Sequence, residues 1–217
     1  MTDFTVWDLA RNLLLATQWT LLLSLMAFAG GGIGGLALLV ARLSGLIWAK
    51  RAVQTFVEIF QGTPLLMQLF LFFFGLPLIG LDASPWFSAA VCLTLYASAY
   101  LTEIWRGCVE AIPTGQWDAA ASFGMSYRQQ LQRVIFPQAL RTAVPPTVGF
   151  LVQLVKSTAL ASIIGYRELT RTAQILTNAT FQPFLIFGMV ALIYFAICFP
   201  LTYWARRLEF ALKTTRV

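Results

Sequence analysis

Residues 17–40 read TQWTLLLSLMAFAGGGIGGLALLV. A helix crossing the hydrocarbon core of a bilayer needs about 20 predominantly apolar residues, and this stretch supplies them. Four more stretches qualify in the same way, at about 53–81, 86–112, 143–164 and 184–203. The second and third contain charges and prolines, so their limits are softer. Composition agrees. The 217 residues are 59% hydrophobic and 11% charged, with a mean hydropathy of +0.74. Soluble domains carry about 25% charged residues, so a soluble globular enzyme and a disordered chain are both excluded. The expectation is an all-α membrane protein with five transmembrane helices, forming one domain over residues 1–217.

Lysine and arginine set the orientation. Arg42, Lys50 and Arg51 follow the first span, and Arg106, Arg128, Arg133 and Arg141 lie at or after the third. Arg206, Arg207, Lys213 and Arg216 follow the fifth, which puts eleven of 15 basic residues on one side. The positive-inside rule predicts an outer N-terminus and a cytoplasmic C-terminus. It also accounts for the net charge of +6 without nucleic acid. Asp3, Asp8, Asp82 and Glu168 fall on the outer side. The start, Met1 to Asn12, lacks a basic n-region and holds Asp3 and Asp8, so no cleavable signal peptide is expected. There is no histidine, which removes triads and metal sites that need imidazole. Cys92, Cys108 and Cys198 have no metal or redox spacing.

Within the first span, Gly30 with Gly34 and Gly31 with Gly35 make overlapping small-xxx-small pairs. Such pairs let another backbone approach closely. The reading is packing against a helix of the same chain, or else a subunit interface. No Gly-Lys-Ser/Thr follows the run, so it is not a phosphate loop.

The segment from Glu110 to Pro146 is the least apolar part of the interior. It reads as two short helices around a glycine. Gln116 to Phe123 suits a helix, with Asp118 in its first turn, where the dipole favours a carboxylate. Gly124 suits a left-handed C′ position. Ser126 with Gln129 reads as a capping box. Pro137 is expected to close the second helix, and Pro145 with Pro146 to mark the start of the fourth span. A protrusion of this kind is a plain connector or a docking element for a partner.

The stretch Glu110-Ala-Ile-Pro-Thr-Gly-Gln-Trp-Asp-Ala-Ala-Ala-Ser-Phe-Gly-Met-Ser, followed by Ile135-Phe136-Pro137-Gln138-Ala139, resembles the EAA loop of binding-protein-dependent ABC importer permeases. More closely, the chain resembles the polar amino acid permeases of the histidine, glutamine and arginine importers. Three other blocks carry that likeness: Gln61-Gly62-Thr63-Pro64-Leu65, Ala99-Tyr100-Leu101-Thr102-Glu103-Ile104-Trp105-Arg106-Gly107, and Lys156-Ser157-Thr158-Ala159-Leu160. Asp118 stands where the family has glutamate, Gln61 where it has arginine, and Ala159 where serine is common.

The resemblance implies a type I importer permease fold and no catalysis by this chain. It implies a coupling loop at about 110–141, with Gln116, Trp117, Asp118, Ala119, Ala120, Ser122, Phe123 and Gly124 meeting an ABC ATPase dimer that binds ATP and Mg. A second permease copy (identical or related), an external amino acid binding protein and membrane lipid complete the expected partners. The expected location is the bacterial inner membrane. Ionisable groups at membrane depth are functional candidates. Here they are Glu58, Glu103 and Lys156. Glu58 lies near the span end and suits a structural role. Glu103 and Lys156 either pair with each other or receive a zwitterionic substrate. Gln153 and Thr158 lie near Lys156, Gln153 on its helix face, and Thr63 and Gln68 are further polar candidates on the second span. Tyr166 to Thr180 reads as a solvated loop, a short interfacial helix, or an external contact surface. Two other classes compete. A stand-alone carrier or channel would want an internal repeat or midplane carboxylates, and five spans do not halve. An intramembrane enzyme would need a dyad such as Ser157 with Lys156, but adjacent helical residues point about 100° apart.

Overall fold

The computed structural model describes residues 5–81 and 84–214, and every regular element among them is helical. Asp3, Asp82 and Arg216 of the charge count lie outside the described residues, as does the Lys213 side chain.

Helix α1 runs from Val6 to Leu43, 38 residues, or about 57 Å at 1.5 Å per residue. It starts well before Thr17 because Thr5 and Asp8 form a reciprocal capping box, with the Asp8 N–H on Thr5 Oγ1 at 3.2 Å and the Thr5 N–H on the Asp8 carboxylate at 3.1 Å. Its first turns bury Leu9 and Leu13 against Leu169, Leu176 and Ile186.

The glycine run makes the closest helix contact, with α4 (Pro85–Glu110). A Cβ on Gly31 would stand 2.4 Å from the Ala97 Cβ, and one on Gly34 would stand 2.4 Å from Ser98 Oγ. Gly30 meets Thr94 and Gly35 meets Leu101 in the same way, while Gly32 faces open space. The intrachain reading of these small-residue pairs therefore holds. The Thr102 hydroxyl donates across the seam to the Gly35 carbonyl at 3.2 Å.

The second apolar stretch is not one helix. It forms α2 (Ile47–Gly62) and α3 (Leu65–Leu78), bent by 104°. Pro64 has no N–H to continue a ladder and pushes Thr63 into the extended region, where it sits at φ −118° and ψ 144°. The freed carbonyls of Phe60 and Thr63 accept from Gln68 Nε2 at 2.9 and 3.1 Å.

The loop forms α5 (Thr114–Ser122) and α6 (Tyr127–Gln130). Pro137 does not end the helical path. A π-turn at Leu131–Ile135 leads straight into α7 (Phe136–Ser157). There Pro137 occupies the first turn, where a missing N–H is tolerated, and the Phe136 N–H reaches back to the Leu131 carbonyl. Pro145 and Pro146 lie inside α7, so the helix of the expected fourth span starts earlier than expected. It closes as a 3₁₀ turn at Thr158–Ser162.

Helix α8 (Leu169–Thr180) replaces the open reading of that segment with a helix whose Leu169, Ala173 and Leu176 are buried. Helix α9 (Pro183–Thr214) continues past Tyr203.

Three helices, α1, α4 and α9, are long and apolar enough to cross a membrane, and the bent α2–α3 pair qualifies as a fourth. Helix α7 falls short of that measure because Arg141, Gln153 and Lys156 interrupt it. It lies against α4 and α9, where Phe150, Val152, Leu154 and Val155 are buried. Helix α4 is the post of the molecule. Of its most apolar window 61% is buried inside the chain, against 17% for α9.

Candidate functional site

The C-termini of α1, α4 and α9 and the start of α7 gather at the end that carries α5. The 3₁₀ turn and α8 lie at the other end.

Helix α5 starts two residues before the expected Gln116, so Asp118 lies in its second turn and not its first. Asp118 is therefore not a first-turn charge. The turn at Gly124 and the cap at Ser126 are found as expected. Gly124 has φ +71°. The Gly124 N–H bonds the Ala121 carbonyl at 2.8 Å and the Met125 N–H bonds Ala120 at 3.3 Å, the paired bonds of a Schellman close. The Ser126–Gln129 capping box is formed. Trp117 stacks on Tyr127 with ring centroids 6.0 Å apart. Val109, Ile112, Leu131 and Ile135 form a small core beneath. Ala120 faces inward, while Gln116, Asp118, Ala119, Ser122 and Gly124 are exposed. Phe123 is 84% exposed at the tip. This is a braced helix presenting a short apolar and acidic face, which suits gripping by another protein.

A cleft of about 820 Å³ opens between α7 and α9. Its walls carry Pro145, Pro146, Gly149, Gln153 and Lys156 from α7, and Thr202, Arg206 and Glu209 from α9. Lys156 also lines a smaller space of about 230 Å³ with Tyr194, Phe195 and Cys198. Lys156 is exposed, and among the described residues it makes no ion pair. Gln153 shares its face and donates to Tyr96 Oη at 3.3 Å. Tyr96 belongs to a ring cluster with Tyr100 and Phe150. Among the described residues no group of three or more Cys, Asp and Glu side chains converges as a metal site would.

The other sequence candidates lie elsewhere. Glu103 does not pair with Lys156. Its carboxylate is held by Arg42 at 2.6 Å and Arg106 at 2.7 Å, at the α5 end. Opposite charges at depth do pair, but the partner came from α1. Thr158 is fully buried and donates to the Val155 carbonyl at 2.7 Å. Thr63 and Gln68 fasten the α2–α3 elbow, with the Thr63 hydroxyl donating to the Ile59 carbonyl at 2.7 Å and accepting from Gln68 Nε2 at 2.8 Å. Glu58 is exposed on α2 and accepts from Gln54 at 2.8 Å.

Sequence reasoning missed the role of Glu168. It is fully buried and caps α8, accepting from the Arg171 N–H at 2.8 Å, from Tyr194 Oη at 3.2 Å and from Thr20 Oγ1 at 3.3 Å. It thus ties α8 to α1 and α9. Burial raises its carboxyl pKa above the ordinary range. The available signal was an acidic residue directly before an amphipathic segment.

Comparison with known proteins gives consistent neighbours. The family described as binding-protein-dependent transport system inner membrane component matches residues 13–214. The L-cystine transport system permease protein TcyB of Bacillus subtilis is 35% identical over 90% of this chain and 86% of its own length. The glutamine transport system permease protein GlnP of Escherichia coli K12 is 33% identical over 96% of both. Among solved structures, an amino acid ABC transporter with histidines matches at TM-score 0.88 and 30% identity, over 92% of this chain and 93% of that one.

Proposed function

This chain belongs to the family of binding-protein-dependent transport system inner membrane components, and from that premise we propose that it forms the translocation path of an ABC importer for a polar amino acid or amino acid derivative. The α5 end faces the cytoplasm and the α8 end faces outward, with an outer N-terminus and cytoplasmic C-terminus. An ABC ATPase dimer grips α5 through Asp118, Ala119, Ser122 and Phe123, with Gln116, Trp117, Ala120 and Gly124 shaping that helix. ATP and Mg belong to the ATPase. A second permease copy and an external binding protein complete the assembly.

The observation that carries the substrate reading is Lys156, a cation without an ion-pair partner among the described residues, open to the α7–α9 cleft. Its ammonium would receive the α-carboxylate, and Gln153 beside it would accept from or donate to the amino acid. Glu103, Thr158 and Thr63 serve the framework in this reading, since each is held by bonds within the chain. The Gln68 amide N–H groups fasten the elbow, while its Oε1 is buried without a partner among the described residues. Glutamine and cystine in the names of similarly close relatives leave the amino acid to experiment. The test is uptake of radiolabelled L-amino acids, one at a time, into liposomes holding the purified complex. ATP-dependent uptake that requires the ATPase and the binding protein is expected. Uptake by this chain alone down an ion gradient would overturn the proposal in favour of a carrier.

A further inference from the structure

We propose that the Arg42–Glu103 ion pair is the joint that makes α1 move with α4 when α5 is displaced, so that Glu103 is a positioning residue for coupling. This rests on the reading of α5 as the element gripped by the ATPase. Each oxygen of Glu103 is held by a different guanidinium, Oε1 by Arg42 at 2.6 Å and Oε2 by Arg106 at 2.7 Å. Arg106 continues the chain of charges to Glu110. Two of these pairs lie within α4, three and four residues apart. Of these three pairs, Arg42–Glu103 is the one that crosses between helices, from the last turn of α1 to α4.

Position gives the pair its mechanical meaning. Glu110 is the last residue of α4 and α5 begins at Thr114, so the cluster sits directly beside the lever. Farther along, the α1–α4 seam is made of Gly31, Gly34 and Gly35 against Ala97, Ser98 and Leu101. Such a seam brings backbones close but offers few directional bonds against sliding. Beyond the Thr102 hydroxyl on the Gly35 carbonyl, a charge-assisted bond adds the register that the small-residue contacts lack. The pair is shielded enough to matter, with side chains only 14% and 22% exposed, because screening weakens as burial grows. A push on α5 then moves α4 and α1 as one body, and the α7–α9 side, which opens on the cleft, becomes the part that changes relative to them.

The test uses the complete transporter with its ATPase, spin-labelled at Ser44→Cys on the α1 side and Gly107→Cys on α4, both exposed positions. The distance between labels is read before and after Mg-ATP, in the parent and in Arg42→Met, Glu103→Gln, the double variant and Arg42→Lys. In the parent the distance stays constant through the ATP cycle. In Arg42→Met and Glu103→Gln it shifts or broadens with Mg-ATP, the double variant is no worse than either single, and Arg42→Lys recovers most of the parent behaviour. A parent distance that changes with Mg-ATP, or neutralised variants that keep it constant, would overturn the joint. Failure of any ATPase to bind the parent chain contradicts the coupling reading itself, which is a separate outcome.

Discussion

The α1–α4 seam and the α7–α9 cleft are built from the same kind of long helix and behave as opposites. At the seam, glycines remove side chains so that α4 can approach to Cβ-contact distance, and a hydroxyl and an ion pair cross between the helices. At the cleft, prolines, Gly149 and polar side chains face about 820 Å³ of space. The two charges that the sequence places at membrane depth divide in the same way. Glu103 is held by two arginines, whereas Lys156 faces the opening. Charge at depth is costly wherever it lies. Where it is matched it fastens helices, and where it is open it is available to a ligand.

The largest expected effect falls on the seam. Gly31→Ala places a Cβ 2.4 Å from the Ala97 Cβ and 3.1 Å from its backbone, so destabilisation of about 3 kcal/mol or a loss of folded yield is expected. Gly32→Ala, one residue away in open space, gains about 0.5–1 kcal/mol from helix propensity. Thermal unfolding in detergent checks both, and equal behaviour of the two variants would break the comparison.

Next is the buried node that pins α8. Glu168→Ala strands the Thr20 hydroxyl and the Arg171 N–H, at about 1 kcal/mol or more for each donor, and takes one of two partners from Tyr194 Oη, which keeps Thr170. Glu168→Gln keeps an acceptor and is milder. Because burial raises the folded carboxyl above its ordinary 4.5, the folded state binds the proton more tightly than the unfolded one. Parent stability therefore declines as pH rises from that value toward the folded pKa. Glu168→Gln removes the slope, and denaturation followed across pH is the measurement.

On the cleft side, the proposed role of Lys156 predicts that Lys156→Met loses a charge-assisted contact to the substrate carboxylate, about 2 kcal/mol. Half-maximal uptake then needs roughly 30-fold more substrate at the site, while ATPase binding is unchanged. Gln153→Leu should have a smaller effect, since Gln153 is partly engaged by Tyr96. Unaltered uptake by Lys156→Met would remove that residue from the path.

Part of the short-range chemistry was legible in the sequence. The capping box at Ser126 and the left-handed Gly124 followed from residues within one turn of one another, although α5 starts two residues early and the second helix runs on past Pro137. The small-residue periodicity of the glycine run likewise named its packing role. What the sequence did not reveal depended on direction or distance. Pro64 sits in a continuous apolar run, and hydropathy alone does not register a 104° bend. Pro137 looked like a stop, yet a π-turn let the helix continue. The partner of Glu103 lies 61 residues away on another helix, a separation that no periodicity encodes. The burial of Glu168 is not legible in its outer-side segment because it depends on α1 and α9 closing over it.

The most direct test of the central claim is purification of the chain in mild detergent from its native membrane, with every co-eluting protein identified by mass spectrometry. It is run in parallel on Phe123→Asp, a change at the exposed tip of α5. The account predicts an ABC ATPase with the parent chain and its loss with the variant, while the variant still elutes as a folded permease. A parent chain that elutes without an ATPase, or an ATPase retained equally by Phe123→Asp and by a variant lacking the whole α5 face, would contradict it.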